Sequence, residues 1–260
     1  MPITAKQKQQ RKPFIGSSDM AAIMGFDPFQ NSYDVWLEKT DKLEPTKENK
    51  VMKRGHYLEP ALLNFAEDTL GTLERNSAKL EFIKPEYYLI SHPDAIMLDG
   101  DRIFPVEAKS QGNCSKELWG DENTDQVPDR VIIQCHVHLI CAETKLCYIP
   151  AYLPYREFQM FHVIFDYDIA ESIIEAAQHF WLQHVLKDIP PEDIVPNLAV
   201  IKRARKSKTV SDMPIELWEK FQLAKSIAKE AKINQDKAQA ELLAEIERRK
   251  QSKETRVCQP

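Results

Sequence analysis

The stretch Ser91–Ser110, SHPDAIMLDGDRIFPVEAKS, constrains the fold of this chain more tightly than any other. Two apolar runs, DAIML (94–98) and RIFPVEAK (102–109), flank Asp99-Gly100-Asp101, which has the turn chemistry of a β-hairpin. Folding back at Gly100 brings Asp94 near Glu107, since they lie six and seven residues from it. Glu107 and Lys109 are two apart, so an extended strand points both side chains to one face. Two carboxylates and an ammonium therefore meet on one face of a sheet. Paired carboxylates repel and are costly to bury without compensation. A hard divalent cation is the natural compensation, because Mg²⁺ favours oxygen ligands and keeps several waters. From spacing alone, a strand-borne ion pair between Glu107 and Lys109 is an open alternative, of a kind that is common and individually weak.

The segments around the hairpin supply its frame. A short helix is expected over 18–25, behind the Gly16-Ser17-Ser18 cap, and another over 33–40. Residues 51–70 read as a helix or helix pair with Leu58, Leu62, Ala66 and Leu70 on a core face and Gly71 as C-cap. LEFIK (80–84) and YYLIS (87–91) read as strands before the hairpin. The polar segment 111–127 reads as a mobile loop. Residues 128–143 open with Pro128 and read as a largely buried helix. Strands follow at 145–153 and 158–167, then a helix over 169–187 announced by Asp168 and Glu171 as a capping box. Pro190, Pro191 and Pro196 break the chain ahead of a basic run, KRARKSK (202–208). From Pro214 to about residue 252 one long charged helix, or two, is expected. Its apolar positions are mostly alanine, which suits an appendage packed along the body better than an independent coiled coil.

A chain of 260 residues with 43% hydrophobic content can bury one large core plus an appendage. No apolar run approaches a membrane span, and the N-terminus lacks the apolar core of a signal peptide. The five cysteines (Cys114, Cys135, Cys141, Cys147, Cys258) form no CxxC pair, which argues against zinc, iron–sulfur and disulfide frameworks and fits a reducing cytoplasm. A net charge of −5 argues against a protein that coats nucleic acid by bulk attraction. Local basic patches at 1–18 and 202–208 are compatible with guiding DNA, or with two solvated loops.

His92-Pro93-Asp94 followed by Glu107-Ala108-Lys109, behind an acid-bearing helix and ahead of a glutamine-bearing one, resembles the PD-(D/E)xK nuclease pattern. FIGSSDMAAIMGFDPFQNSYDVWLEKT (14–40), RGHYLEPALLNFAEDTLG (54–71) and Gln134 in VIIQCHVHLI are similar, in the same order, to blocks of phage-type exonucleases of the YqaJ-type viral recombinase and lambda-exonuclease family. The resemblance covers roughly residues 11–167 and implies an α/β (α+β) fold. That fold is a restriction-endonuclease-like core with a central mixed sheet flanked by helices, over 1–190, followed by a basic linker at 191–213. A long helical C-terminal extension at 214–260 completes the chain.

By resemblance, Glu59, Asp94 and Glu107 are expected to hold Mg²⁺, for which Mn²⁺ would substitute, with the Ala108 backbone carbonyl as a further oxygen. Lys109 would orient or help deprotonate the attacking water, and Gln134 would position that water or a phosphate. Arg11, Ser17 and Ser18 would bind the 5′-phosphate, since Arg11 lies seven residues before Ser18 as in the family. Plainer readings stand beside these: a helix-dipole acid for Glu59, a buried hydrogen-bonded polar residue for Gln134, a basic tail for Arg11 and a plain N-cap for Ser18. His92, His136 and His138 read as structural. The implied activity is digestion of one strand of duplex DNA from its 5′ end, leaving a 3′ tail for a single-strand annealing protein. The resemblance also implies a homo-oligomer, as a ring-shaped trimer, in the cytoplasm of a bacterial host, with a phage or prophage origin. A restriction- or repair-type metal-dependent endonuclease and an inactive DNA-end-binding adaptor are the alternatives.

Overall fold

The computed structural model describes residues 12–43, 49–75, 80–111, 118–154, 157–192 and 215–257, with backbone alone for Trp218 and 244–257. The chain forms two compact units, Met1–Arg205 and Lys206–Pro260, each described by itself. The basic run 202–208 and Arg11 lie outside the described residues.

The Asp99-Gly100-Asp101 turn does close a hairpin. Strands β5 (Ala95–Asp99) and β6 (Arg102–Val106) pair antiparallel with Ala95 opposite Val106, and Gly100 takes φ +62°, a left-handed angle that its missing Cβ makes cheap. A short strand β7 (Lys109–Ser110) follows. Both β6 and β7 run parallel to β8 (Leu146–Leu153), with Val106 opposite Tyr148 and Lys109 opposite Ala151. Each step is three residues, so β6 and β7 are successive parts of one edge, interrupted at Glu107-Ala108. The hairpin's outer neighbour is β2 (Leu73–Glu74), and β9 (Glu157–Ile164) pairs antiparallel with the other side of β8, completing a mixed sheet of six strands. A second sheet has three strands in the order β1 (Ile15–Gly16), β4 (Leu89–Ser91) and β3 (Phe82–Lys84).

Among the described residues the first unit holds five α-helices, α1 (Ser17–Ile23), α2 (Ser32–Lys39), α3 (Lys50–Leu70), α4 (Asp129–Ala142) and α5 (Tyr167–Phe180), and the second unit holds α6 (Ile215–Val257). Segment 51–70 is one helix, started by the Asn49 side chain accepting the Val51 and Met52 N–H groups and ended at Gly71. Of its expected core face Leu62 and Ala66 are buried and Leu58 and Leu70 half-buried; Leu63 and Ala66 pack with Ala95 and Val106. Helix α6 is continuous rather than two pieces.

Helix α4 is the hub, because three of its faces carry different duties. Ile133, Val137 and Ile140 pack into the core shared with α1, α2 and α5. Val131, Cys135 and Leu139 pack into the core under β8 and β9. Gln134 and His138, four apart and so on one stripe, are left for the hairpin.

Local expectations shift in three places. Helix α5 is capped by Asp166, whose carboxylate accepts the Asp168 and Ile169 N–H groups, not by Asp168; it starts two residues early and ends in a π turn over Trp181–Val185. The strand expected from 87 begins only at Leu89, because Pro85–Tyr87 forms a 3-10 turn and Tyr88 is left-handed at φ +58°. Of the loop expected to be mobile, residues 118–127 are tied down: Trp119 and Val127 are buried, and Asn123 N–H donates to the Met160 carbonyl at 2.8 Å.

Candidate active site

The break between β6 and β7 is where the polar cluster forms. Beyond Ala95 the partner strand no longer supplies a carbonyl to its neighbour, so the Ala108 N–H donates to Asp94 Oδ2 at 2.8 Å. On the other edge, Glu107 N–H keeps its bond to the Tyr148 carbonyl at 2.9 Å. One carboxylate thus replaces a rung of the ladder and anchors the residue next to the second carboxylate.

Glu107 is buried at 5% exposure, yet each of its oxygens has partners. Oε1 accepts from Lys109 Nζ at 2.9 Å and from Gln134 Nε2 at 2.6 Å, while Lys109 Nζ also donates to Gln134 Oε1 at 2.6 Å. The three side chains form a closed triangle. Oε2 lies 3.1 Å from His138 Nε2. A carboxylate can only accept, so Nε2 carries the proton and Nδ1 is left to accept from Ser91 Oγ–H at 2.6 Å. Ser91 and His138 are both wholly buried. Burial works against an ionised Glu107, but the Lys109 ammonium and the His138 hydrogen bond outweigh it and hold the carboxyl at about 2. Burial also works against a charged Lys109, and the Glu107 carboxylate overrides it, raising the ammonium above its ordinary value. Lys109 therefore stands as a donor in this arrangement, which favours its orienting role over proton removal. Asp94 is pushed the other way, up to about 7, by burial and by the Glu107 charge beside it. Two carboxylates that titrate so far apart form a pair short of positive charge.

That shortage is the fit test for a cation. The pair offers hard oxygens of the kind Mg²⁺ takes: Glu107 Oε2, with one bond to His138, and Asp94 Oδ2, with one from the Ala108 N–H, each keep a lone-pair site beyond it. The expected third acid, Glu59, is half-buried on α3, which packs against β7 and β8. Among the described residues, no group of three or more His, Cys, Asp or Glu side chains stands ready to hold an ion, so the pair Asp94–Glu107 is what the fold gathers.

The remaining expected residues divide. Gln134 and Lys109 join the cluster. Ser17 is buried and Ser18 exposed in the first turn of α1, whose N-cap is Gly16, not a serine; the Gly16 N–H donates to Asp19 Oδ2 at 3.0 Å. His138 and Ser91 were not expected at the site. The signal for His138 was present as its four-residue spacing from Gln134, whereas nothing local marks Ser91. His136 is structural as expected: its Nε2 accepts the Asp166 N–H at 3.0 Å, so Nδ1–H donates to the Ile132 carbonyl at 2.9 Å.

Residues 6–145 match the model of the YqaJ-like viral recombinase domain. The chain is 24% identical over 181 residues to the uncharacterized protein YqaJ of Bacillus subtilis (strain 168), a match over 68% of this chain and 55% of that protein. It thus spans about half the length of the curated relative it matches. Among solved structures, the alkaline exonuclease LHK-Exo of Laribacter hongkongensis is similar with a TM-score of 0.55 at 17% identity, over 72% of this chain and 94% of that one. A phage-related exonuclease from Haemophilus somnus 129PT is similar with a TM-score of 0.51 at 12% identity, over 67% and 96% of the two chains. At these identities the likeness is one of fold.

Proposed function

This chain belongs to the YqaJ-like viral recombinase domain family, and from that membership we propose that it is a Mg²⁺-dependent exonuclease that digests one strand of linear duplex DNA from its 5′ end. The observation that carries the reading is the buried Glu107 carboxylate, held ionised by Lys109, Gln134 and His138 with a second carboxylate, Asp94, beside it. A buried acid pair with a lysine has a high electrostatic cost for a purely structural feature and suits phosphodiester chemistry. The two solved structures of similar fold are an alkaline exonuclease and a phage-related exonuclease, which supports the same reading.

Asp94 and Glu107, with the Ala108 carbonyl, would hold the metal. When bound, a divalent ion eases proton loss from water and stabilises charge on the phosphodiester. The chain's own groups do the rest. The Lys109 ammonium donates to the attacking water or to a phosphate oxygen, and the Gln134 amide holds that ammonium against Glu107. Ser18, at the surface of α1, and Arg11 would take the terminal 5′-phosphate. The 3′ tail left behind is the substrate of a single-strand annealing protein, and a ring of copies would keep the enzyme on its strand.

The test uses end-labelled linear duplex with and without a 5′-phosphate, beside a closed circle. Nucleotides should be released from the linear 5′-phosphorylated duplex only with Mg²⁺, and the circle should stay closed. Nicking of the circle, or undiminished release by both Glu107→Ala and Lys109→Ala, would overturn the reading.

A further inference from the structure

Between the turn after α1 and the start of α4 lies a cavity of about 560 Å³ whose lining mixes aromatic and apolar side chains with Asp27, Asp129 and Arg130. Two exposed phenylalanines, Phe26 at 49% and Phe29 at 67%, form one wall, and Leu118 at 55% forms another. These rings are held in place by their loop. The Phe26 N–H reaches back to the Ala21 carbonyl at 2.8 Å and the Gly25 N–H to that of Ala22 at 3.3 Å, a Schellman closure with Gly25 at φ +83°. Asp27 Oδ1 then accepts the N–H groups of Phe29 at 2.7 Å and Gln30 at 3.1 Å. A chain so pinned presents its aromatic faces to solvent at little further entropic cost.

Arg130, also in the lining, links the cavity to the cluster. The Arg130 guanidinium carbon sits 5.8 Å from the centre of the Phe29 ring, and its Nη2 donates to Gln111 Oε1 at 3.0 Å. Arg130 is one turn before Gln134 on α4, about 6 Å of helix axis away, and Gln111 is two residues past Lys109. Two short spans of chain, Arg130 to Gln134 along α4 and Lys109 to Gln111, thus connect the aromatic wall to the cluster.

We propose that Phe26, Phe29 and Arg130 form a stacking subsite for an unpaired nucleobase of the DNA strand whose phosphodiester lies at Glu107 and Lys109. The proposal rests on the nuclease reading above and adds to it a place for the base. A flat base matches the exposed faces of Phe26 and Phe29, because every base has a π-face, and the Arg130 guanidinium beside the Phe29 ring adds positive charge at the rim. A phosphate does not match, since the carboxylates of Asp27 and Asp129 also line the cavity. A base inside a duplex has both faces covered, so the occupant must have left its stack. Contact with the rings offsets that unstacking.

The test reads base contact without cleavage. Single-stranded and linear duplex oligonucleotides carrying 2-aminopurine at the 5′-terminal or adjacent position are bound in Ca²⁺, which leaves them uncut. Wild type should quench the probe, and replacing that nucleotide by an abasic one should weaken binding on the order of tenfold. Phe29→Ala should lose both effects, while Phe29→Trp, which keeps an aromatic face, should retain them. Wild-type binding indifferent to the base, or Phe29→Ala binding with unchanged base dependence, would overturn the subsite. Digestion of 5′-phosphorylated duplex in Mg²⁺ is measured separately, so a missing nuclease and a missing subsite give different results.

Discussion

The His138 imidazole stands 3.1 Å from the Glu107 carboxylate and is itself oriented from behind by the buried Ser91 hydroxyl at 2.6 Å. Glu107 is therefore held from two helix positions and a strand, and its direction is set before any substrate arrives. Removing the imidazole leaves Oε2 short of a donor in a buried place.

His138→Ala is expected to lower nuclease activity about 10–100-fold, the range found for side chains that orient metal-binding groups. His138→Gln, whose amide N–H can still donate, should recover part of it. Mg²⁺ titration followed by thermal shift distinguishes this from a folding defect: the alanine variant should need more Mg²⁺ for the same stabilisation. Equal titration curves and equal activity would remove His138 from the site.

Glu107 and Lys109 are expected to be strongly non-additive in stability. Lys109→Met strands a buried carboxylate and should cost about 3–5 kcal/mol, as when one member of a buried pair is removed. Glu107→Gln together with Lys109→Met should cost clearly less than the two single changes added, as measured by urea unfolding. Simple additivity would show that the contact at 2.9 Å is energetically idle.

Acid should loosen the protein through His136. Burial pushes the pKa of this imidazole below its ordinary value, against the Ile132 carbonyl and the Asp166 charge, which favour the protonated form. The unfolded chain then binds the proton more tightly, so this stabilisation is full above about pH 6.5 and is lost as pH falls below it. His136→Asn should be less stable at pH 7.5, and the stability difference between wild type and variant, in which the opposing Asp94 titration cancels, should shrink from pH 7.5 to 5 in denaturant unfolding. A difference that stays constant below about pH 6.5 would contradict the assignment.

Leu139→Ala should cost about 2–5 kcal/mol, since Leu139 is wholly buried with Cys135, Cys147 and Ile149 in the core beneath β8. The comparison is Leu98→Ala, half exposed at the hairpin tip, which should change unfolding by less than about 1 kcal/mol. Similar costs for the two would mean that α4 is not the hub of the fold.

Much of the site could be read before any coordinates, because its parts are local. A turn at Gly100 with apolar runs on either side dictates the hairpin, and the hairpin alone puts Asp94 next to Glu107. A four-residue spacing on a buried helix likewise puts Gln134 and His138 on one stripe. What residue order does not carry is the partner of each stripe. Ser91 is 47 residues from His138, and Lys109 meets Gln134 across 25. Such contacts exist only once β8 has joined the hairpin edge in parallel and α4 has been laid over it. The register of that joining also decides that the strand breaks at Glu107-Ala108, where a side chain replaces a backbone rung. Period and turn chemistry act over a few residues and so are written in the sequence. Long-range pairing is a choice among competing burials of the same apolar faces, and only the folded chain makes it.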